Sequence, residues 1–379
     1  EIASCLVGSE MCIRDSLYRQ PMNSGTHGTM HTLSAPARPS AAVSPARLSR
    51  RSALLAAAGL AAWPAVRAAG PGPAEKITLA GWSKPISEIT NVLVEPEKGF
   101  FKAQGLALTY MPGAGGGDAI RNILSGQADV AFTDPGSFFM ALDKGEKLRA
   151  IYDIYPQNVF NVVSLKSANI TRPADLKGKR IGVYSLSSGT RQNLLVMLHQ
   201  AGLKESDVTI VVTGLLNFAP LLQGQVDATA ATDTGLVVGK RRGIGEVDVM
   251  ETRDVLNVSS DLFVVREQVY QEKKNLLRAF LRAYRDSAAW MIAHPDEAAT
   301  LAGRYAIDGT DREINLEVIR LRNAAALPAG QGAQGAAAVL GTFDLDALQK
   351  AADAYRTLGL IERPIRVADV VDTRLLPAA

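Results

Sequence analysis

The chain has 379 residues, 47% hydrophobic and 21% charged, a composition typical of a globular protein with a sizeable core. Its formal net charge is +3, but the first 68 residues hold seven basic and three acidic residues, which leaves 34 basic and 35 acidic residues after them. A nearly neutral globular part argues against nucleic acid or an anionic membrane surface as the main partner.

Residues 1–75 are predicted to form a leader. In "SRRSALLAAAGLAAWPAVRA", Arg50 and Arg51 precede an apolar stretch that is too short to span a bilayer. Small residues at Val66 and Ala68 then offer a cleavage site near residues 68–69. This pattern predicts an export signal of the twin-arginine type, and therefore a periplasmic protein.

The opening stretch "EIASCLVGSEMCIRDS" resembles neither a signal nor a domain. We expect it to be translated non-coding or adaptor sequence, with Met22 or Met30 as the true start. Both cysteines, Cys5 and Cys12, lie in the leader. We therefore expect an exported protein without a disulfide, a thiol nucleophile, a cysteine metal ligand or a lipid-anchor cysteine.

Strand and helix patterns alternate from Lys76 onward. Their order is strand "KITLAGW", helix "EPEKGFFKAQGL", strand "ALTYM", helix "GAGGGDAIRNILSG" and strand "ADVAFTD". Pro96 is expected in the first turn of the first helix and Gly105 at its end. This alternation predicts parallel strands joined by right-handed crossovers.

The same alternation begins again near Lys179. Here the order is strand "KRIGVYS", helix "SGTRQNLLVMLHQAGL", strand "DVTIVV", short helix "NFAPLLQGQ" and strand "VDATAATD". Residues 125–134 and 223–233 share Gly-Gln-x-Asp, an apolar run and a closing Thr-Asp. The repeat predicts two related halves, each an α/β lobe with a parallel-rich sheet flanked by helices.

Two extended crossings, 148–166 and 255–268, are predicted to join the lobes as a hinge. Lobe I is expected to comprise residues 76–162 with 262–379, and lobe II residues 163–261. The remainder of the chain, from residue 270, is predicted to be mostly helical, with its aromatic residues in the core.

Ligands of open parallel sheets bind beyond the carboxyl ends of the strands. Backbone N–H groups, hydroxyls and one guanidinium there would suit a carboxylate, sulfonate or phosphate, whereas the carboxylates would accept hydrogen bonds from an amine or aminopyrimidine. An aromatic solute could stack on the tryptophan. The predicted site residues are Trp82, Ser83, Gly115, Gly116, Gly117, Asp118, Asp134, Ser137, Ser185, Ser188, Gly189, Thr190, Arg191, Asn217 and Asp233.

Patterns typical of enzymes and cofactor sites are weak in this sequence. "GQGAQG" at 330–335 matches a dinucleotide-binding string but does not follow a predicted strand. His199 and His294, the two histidines after the leader, have no evident catalytic partner. We therefore expect no catalytic residue, no metal and no cofactor.

Three segments together resemble a known family: "KGFFKAQGLALTYMPGAGGGDAIRNILSGQADVAF", "ITRPADLKGKRIGVYSLSSGT" and "LLQGQVDATAATD". They are similar to the type II periplasmic substrate-binding proteins of ABC importers, in the nitrate, sulfonate, taurine and thiamine-pyrimidine-precursor group. The resemblance covers about residues 76–300. It implies a two-lobed hinged fold, a small solute in the cleft, a membrane permease as partner and a monomer.

A related eukaryotic branch suggests an enzymatic alternative. Those proteins synthesise the thiamine pyrimidine with a cysteine-rich iron motif and a sacrificial histidine. Because the chain lacks that cysteine cluster, solute binding is the favoured hypothesis.

Overall fold

The computed structural model describes residues 73–214 and 218–376. The predicted signal, its cleavage near residues 68–69 and the expected start at Met22 or Met30 lie outside these ranges, as does Asn217. Within these ranges, no helix combines the length and apolar character that a membrane span requires.

The strands of the described ranges form two sheets. They are β1 (Glu75–Ala80), β2 (Leu106–Met111), β3 (Val130–Thr133), β4 (Leu148–Tyr155), β5 (Phe160–Leu165), β6 (Arg180–Val183), β7 (Thr209–Val212), β8 (Ala228–Thr232), β9 (Val247–Glu251) and β10 (Asp261–Arg266). The first sheet has the order β2-β1-β3-β10-β4 and the second β7-β6-β8-β5-β9. Four strands of each sheet run in one direction, and the fifth, β10 in the first sheet and β5 in the second, runs antiparallel to both of its neighbours. The predicted fold class is confirmed.

Helices flank both sheets. They are α1 (Thr90–Leu93), α2 (Glu95–Lys98), α3 (Phe100–Ala103), α4 (Gly116–Leu124), α5 (Pro135–Asp143), α6 (Gly189–Gln200), α7 (Phe218–Leu222), α8 (Asp233–Arg241), α9 (Glu267–Glu272), α10 (Lys274–Ala293), α11 (Pro295–Tyr305), α12 (Arg312–Ala325), α13 (Ala336–Val339), α14 (Leu345–Thr357) and α15 (Val367–Val370). The chain from residue 270 is mostly helical, as predicted. Phe280 and Tyr284 of α10 pack edge-on against Phe263 of β10, with ring centroids 5.1 and 4.6 Å apart.

The single helix predicted over "EPEKGFFKAQGL" is wrong, because the structure has two short helices there, α2 and α3. Gly99 has φ +65°, a left-handed conformation that ends α2 after one turn and redirects the chain into α3. Pro96 does lie in the first turn of α2, as predicted.

The repeated Gly-Gln-x-Asp has the same structural role in both sheets. The Asp129 carboxylate accepts a hydrogen bond from the backbone N–H of Thr78 in the neighbouring strand, at 2.9 Å. The Asp227 carboxylate accepts one from the backbone N–H of Arg180, at 2.8 Å. In each half the aspartate therefore fixes the entry of one strand against the strand beside it.

The chain passes between the sheets twice, through residues 156–159 and 252–260. Asn158 Nδ2 in the first passage donates to the carbonyl of Leu256 in the second, at 2.9 Å. Ser260 N–H donates to the carbonyl of Tyr155 at 2.8 Å, and Val159 N–H donates to Ser260 Oγ at 3.0 Å. The two passages thus lie side by side and are hydrogen-bonded to each other.

Candidate functional site

A cavity of about 100 Å³ lies where the carboxyl ends of parallel strands from both sheets meet. Its walls come from the residues that follow β1, β2 and β3 and from those that follow β6, β7 and β8. The lining residues are Trp82, Ile86, Glu88, Gly115, Gly116, Asp134, Val159, Phe160, Tyr184, Ser188, Gly189, Thr190, Gly214, Ala231, Thr232, Thr234, Gly235, Val238, Asp261, Asp308, Val318 and Arg322.

Several predicted site residues line this cavity, and both sheets contribute some of them. They are Trp82, Gly115, Gly116, Asp134, Ser188, Gly189 and Thr190. Trp82 packs edge-on against Tyr184, with ring centroids 6.5 Å apart, so one aromatic wall is built from both sheets.

Asp134 is held rigidly in the cavity wall. It is 3% exposed, and its carboxylate caps α5 by accepting from Ser137 N–H and Ser137 Oγ, both at 2.8 Å. Gly116 makes this placement possible, because a Cβ at Gly116 would lie 2.1 Å from Asp134 Oδ2. Burial raises the pKa of Asp134, and the hydrogen bonds from Ser137 act in the opposite direction.

Other predicted site residues support the loops around the cavity and do not line it. Ser83 Oγ donates to the carbonyl of Lys84 at 2.8 Å. The Asp118 carboxylate accepts from Ala114 N–H at 2.8 Å and pairs with Arg121. Ser137 donates both its N–H and its Oγ hydrogen bonds to Asp134.

Gly117 and Ser185 connect the two sheets instead of lining the cavity. Gly117 N–H, at the start of α4, donates to the carbonyl of Ser187 at 3.0 Å. Ser185 Oγ donates to the carbonyl of Ala114 at 2.5 Å. The loop after β2 and the loop after β6 therefore close one side of the cavity.

Arg191, a predicted site residue, lies outside the cavity lining in this structure. Its guanidinium binds Glu205 through Nε and Nη2, at distances of 2.6 to 3.0 Å, and does not line the cavity. Arg191 comes one residue after Thr190 on α6, and this step of the helix turns its side chain toward Glu205.

Asp233 binds a buried arginine rather than lining the cavity. Thr232, not Asp233, caps α8, because Thr232 Oγ1 accepts from Gly235 N–H at 3.2 Å. The Asp233 carboxylate is thereby available to Arg322, with which it pairs. The two Thr-Asp sequences thus differ in role, since Asp134 itself caps α5.

Arg322 lies at the centre of an ion-pair network. It is 1% exposed, its Nε lies 3.1 Å from Glu88 Oε2, and its Nη2 donates to Thr234 Oγ1 at 3.2 Å. Thr234 Oγ1 in turn donates to Glu88 Oε1 at 2.6 Å. Glu88 follows β1 of the first sheet, whereas Asp233 and Thr234 follow β8 of the second, so the network crosses between the sheets.

Four charged residues of the lining were missed by sequence reasoning: Glu88, Asp261, Asp308 and Arg322. The sequence does contain a pattern that could have pointed to Arg322, because this charged residue lies on the buried face of α12 with the apolar Val318 and Ile319. Burial acts to lower the pKa of Arg322, but Asp233 and Glu88 outweigh it and raise that pKa. Burial raises the pKa of Glu88, an effect that Arg322 partly offsets.

The cavity wall presents groups that can bind a small molecule. Neither His199 nor His294 lines the cavity. Within residues 73–214 and 218–376, no three His, Cys, Asp or Glu side chains are grouped to hold a metal ion. The cavity offers fixed carboxylates, hydroxyls, backbone groups and an aromatic wall.

Known proteins similar to this chain include binders and enzymes. Riboflavin-binding protein RibY of Chloroflexus aurantiacus is 24% identical over 316 residues, which cover 82% of this chain and 90% of that protein. The 4-amino-5-hydroxymethyl-2-methylpyrimidine phosphate synthase THI5 of Saccharomyces cerevisiae is 23% identical over 238 residues, covering 59% of this chain and 69% of that protein.

A solved structure shares the architecture. The periplasmic aliphatic sulphonate binding protein SsuA from Escherichia coli matches with a TM-score of 0.57 and 17% identity, over 78% of this chain and 97% of that one. The sequence itself matches the family described as NMT1/THI5 like over residues 86–298, more than half of the chain. The chain therefore has the periplasmic-binding-protein fold and belongs to the NMT1/THI5-like family.

Proposed function

We propose that this chain is the extracytoplasmic solute-binding component of an ABC importer. It captures a small polar or aromatic solute between its two sheets and delivers it to a membrane permease. The solute classes suggested by the sequence are a sulfonate, a nitrate-like anion and a thiamine pyrimidine precursor. The observation that carries the proposal is one cavity lined by the carboxyl-end loops of both sheets.

The connections between the sheets support a hinge. Lobe I, predicted as 76–162 with 262–379, would hold the first sheet, and lobe II, predicted as 163–261, would hold the second. The sheets place the boundaries a few residues from these bounds, since β5 begins at Phe160 and β10 at Asp261. Opening would separate Gly117 from Ser187 and Glu88 from Thr234, while the paired passages 156–159 and 252–260 would bend. A solute shifts the population toward the closed form only through contacts that it makes preferentially in that form.

Similar proteins support this class of function. RibY is named for binding riboflavin, and SsuA for binding aliphatic sulphonates. The yeast relative is named as a synthase, which keeps an enzymatic alternative on the same fold. Recovery of a bound solute, chemically changed or unchanged, separates the two functions.

Thermal-shift measurements on the purified full chain test the proposal. The panel contains taurine, nitrate, 4-amino-5-hydroxymethyl-2-methylpyrimidine and riboflavin. A solute at 100 times its Kd should stabilise the protein by about 2.7 kcal/mol, and each kcal/mol raises the Tm by roughly 2–4 °C. A bound solute recovered chemically unchanged supports capture, whereas its conversion to product would establish the enzymatic alternative.

A further inference from the structure

The cavity lining has an excess of acidic groups. It contains the carboxyl groups of Glu88, Asp134, Asp261 and Asp308 but a single guanidinium, that of Arg322. Arg322 is already engaged by Glu88 and by Asp233 outside the lining. Glu88 and Asp233 therefore already neutralise the positive charge of Arg322, and the carboxyl groups of Asp134 and Asp261 add to the negative charge of the wall.

Among the described residues, no side chain or backbone group is hydrogen-bonded to the carboxyl group of Asp261, although the charge of Arg322 acts on it from a distance. Asp261 is 7% exposed and lines the cavity, yet no ion pair reaches its carboxyl group from residues 73–214 and 218–376. It is the first residue of β10 and pairs with Tyr155 of β4 through the backbone. A buried carboxylate without a donor is unfavourable, so an occupant of the cavity that donates to Asp261 would stabilise its charged form.

Asp134 lines the same cavity as Asp261, and its charge acts on Asp261. Burial raises the pKa of Asp261 well above its usual range, the negative charge of Asp134 raises it further, and the positive charge of Arg322 acts in the opposite direction. A cation bound beside Asp261 would also act to lower this pKa and favour the charged carboxylate. Two neighbouring carboxyl groups in one wall form an acceptor site that repels anions and attracts a nitrogen cation.

The remaining lining adds an aromatic surface. Trp82 and Tyr184 lie edge-on to each other in the wall, and Phe160 lines the same cavity. Aromatic faces bind planar rings and cations. The occupant that fits both features is a flat molecule with a charged nitrogen group.

We propose that the solute carries a positively charged nitrogen group, such as an amidinium or a protonated amino-heterocycle, and that Asp261 and Asp134 form its subsite. This inference rests on the proposed function and deepens it by naming the charge of the solute. It places sulfonates and nitrate outside the specificity of this chain.

Three probes of one shape test the inference: benzamidine (cation), benzamide (neutral) and benzoate (anion). Titration calorimetry on the full chain should give affinities in that order. Asp261→Asn should weaken benzamidine binding about 10- to 100-fold, the range expected for losing a charged hydrogen bond, and should reduce the preference over benzamide. Asp134→Asn, in which asparagine can still cap α5, should act in the same direction.

Asp153→Asn is the matched control. Asp153 is buried in the neighbouring strand β4 and does not line the cavity, and it acts on Asp261 only through its charge. Asp153→Asn should therefore change benzamidine affinity far less than Asp261→Asn does. The inference would be overturned if benzoate bound as tightly as benzamidine, or if benzamidine did not bind. It would also be overturned if the folded Asp261→Asn variant kept the wild-type affinity for benzamidine. If the inference failed but taurine or nitrate bound, the proposed capture function would still stand. If none of the tested solutes bound, the result would count against both the inference and the proposed function.

Discussion

The buried Arg322 network gives a quantitative prediction for Arg322→Met. Methionine keeps much of the side-chain volume but removes the charge that faces Glu88 and Asp233. Breaking one partner of a buried ion pair costs about 3–5 kcal/mol. We expect the lower end, about 3 kcal/mol, because Thr234 still donates to Glu88 through Oγ1 and to Asp233 through N–H.

The loss should depend on pH in a definite direction. Without Arg322, the burial that raises the pKa of Glu88 is offset only by the hydrogen bond from Thr234. The folded variant then binds a proton more tightly than the folded wild type does. The stability difference between the two proteins should therefore shrink as the pH falls toward 4 and grow toward pH 8.

Chemical denaturation at pH 5 and pH 8 measures the loss of unfolding free energy and its dependence on pH. In thermal unfolding at neutral pH, the Tm should fall by roughly 6–12 °C. Arg320→Met is the control, because Arg320 lies on the same helix but its side chain is 61% exposed and its pair with Asp296 spans 3.7 Å. That control should change stability little. A wild-type unfolding free energy for Arg322→Met at pH 8 would refute the role assigned to the network.

Two further predictions concern single side chains. Arg191→Ala should leave solute affinity unchanged, because its guanidinium binds Glu205 outside the cavity; a loss of affinity in a calorimetric titration would return Arg191 to the site. Burial raises the pKa of Asp153 to about 8, so this group favours the folded state at low pH and loses that contribution as the pH rises toward 8. Asp153→Asn should flatten the decline of stability between about pH 4 and pH 8, measured by denaturation, and an identical slope in both proteins would contradict the assignment.

Local sequence patterns predicted the fold because the strands and helices are short, regular and repeated. The Gly-Gln-x-Asp repeat marks the same backbone contact in both sheets, through Asp129 and Asp227. Trp82, Gly115 and Asp134 were found in the same way, since each follows a predicted strand.

The residues that were missed depend on contacts between distant segments. Asp261 stands at the start of a strand, which in a parallel sheet would place it far from the site. Because β10 runs antiparallel, its first residue lies at the same edge as the ends of β1 and β3. Arg322 reaches the cavity because α12 packs against α8, a contact that no local pattern encodes.

The sequence could not place the side chain of Arg191 for a related reason. A guanidinium near a serine-rich loop suits an anion, but the sequence does not reveal that Glu205 lies within reach. Likewise, the two Thr-Asp sequences look alike, and only the structure shows that Thr232 caps one helix and Asp134 the other.

A disulfide between the loop after β2 and the loop after β6 tests most directly whether the solute is enclosed between the two sheets. A Cβ at Gly117 would lie 3.0 Å from Cβ of Ser187, slightly closer than the roughly 3.5–4.5 Å of a disulfide, a difference that small loop shifts can absorb. Gly117→Cys with Ser187→Cys, in a Cys5→Ser and Cys12→Ser background, should form this bond. Exchange of the tightest-binding solute of the panel should stop in the oxidised protein and resume on reduction. Equal exchange rates in the oxidised and reduced proteins would contradict a site that opens by separating the sheets.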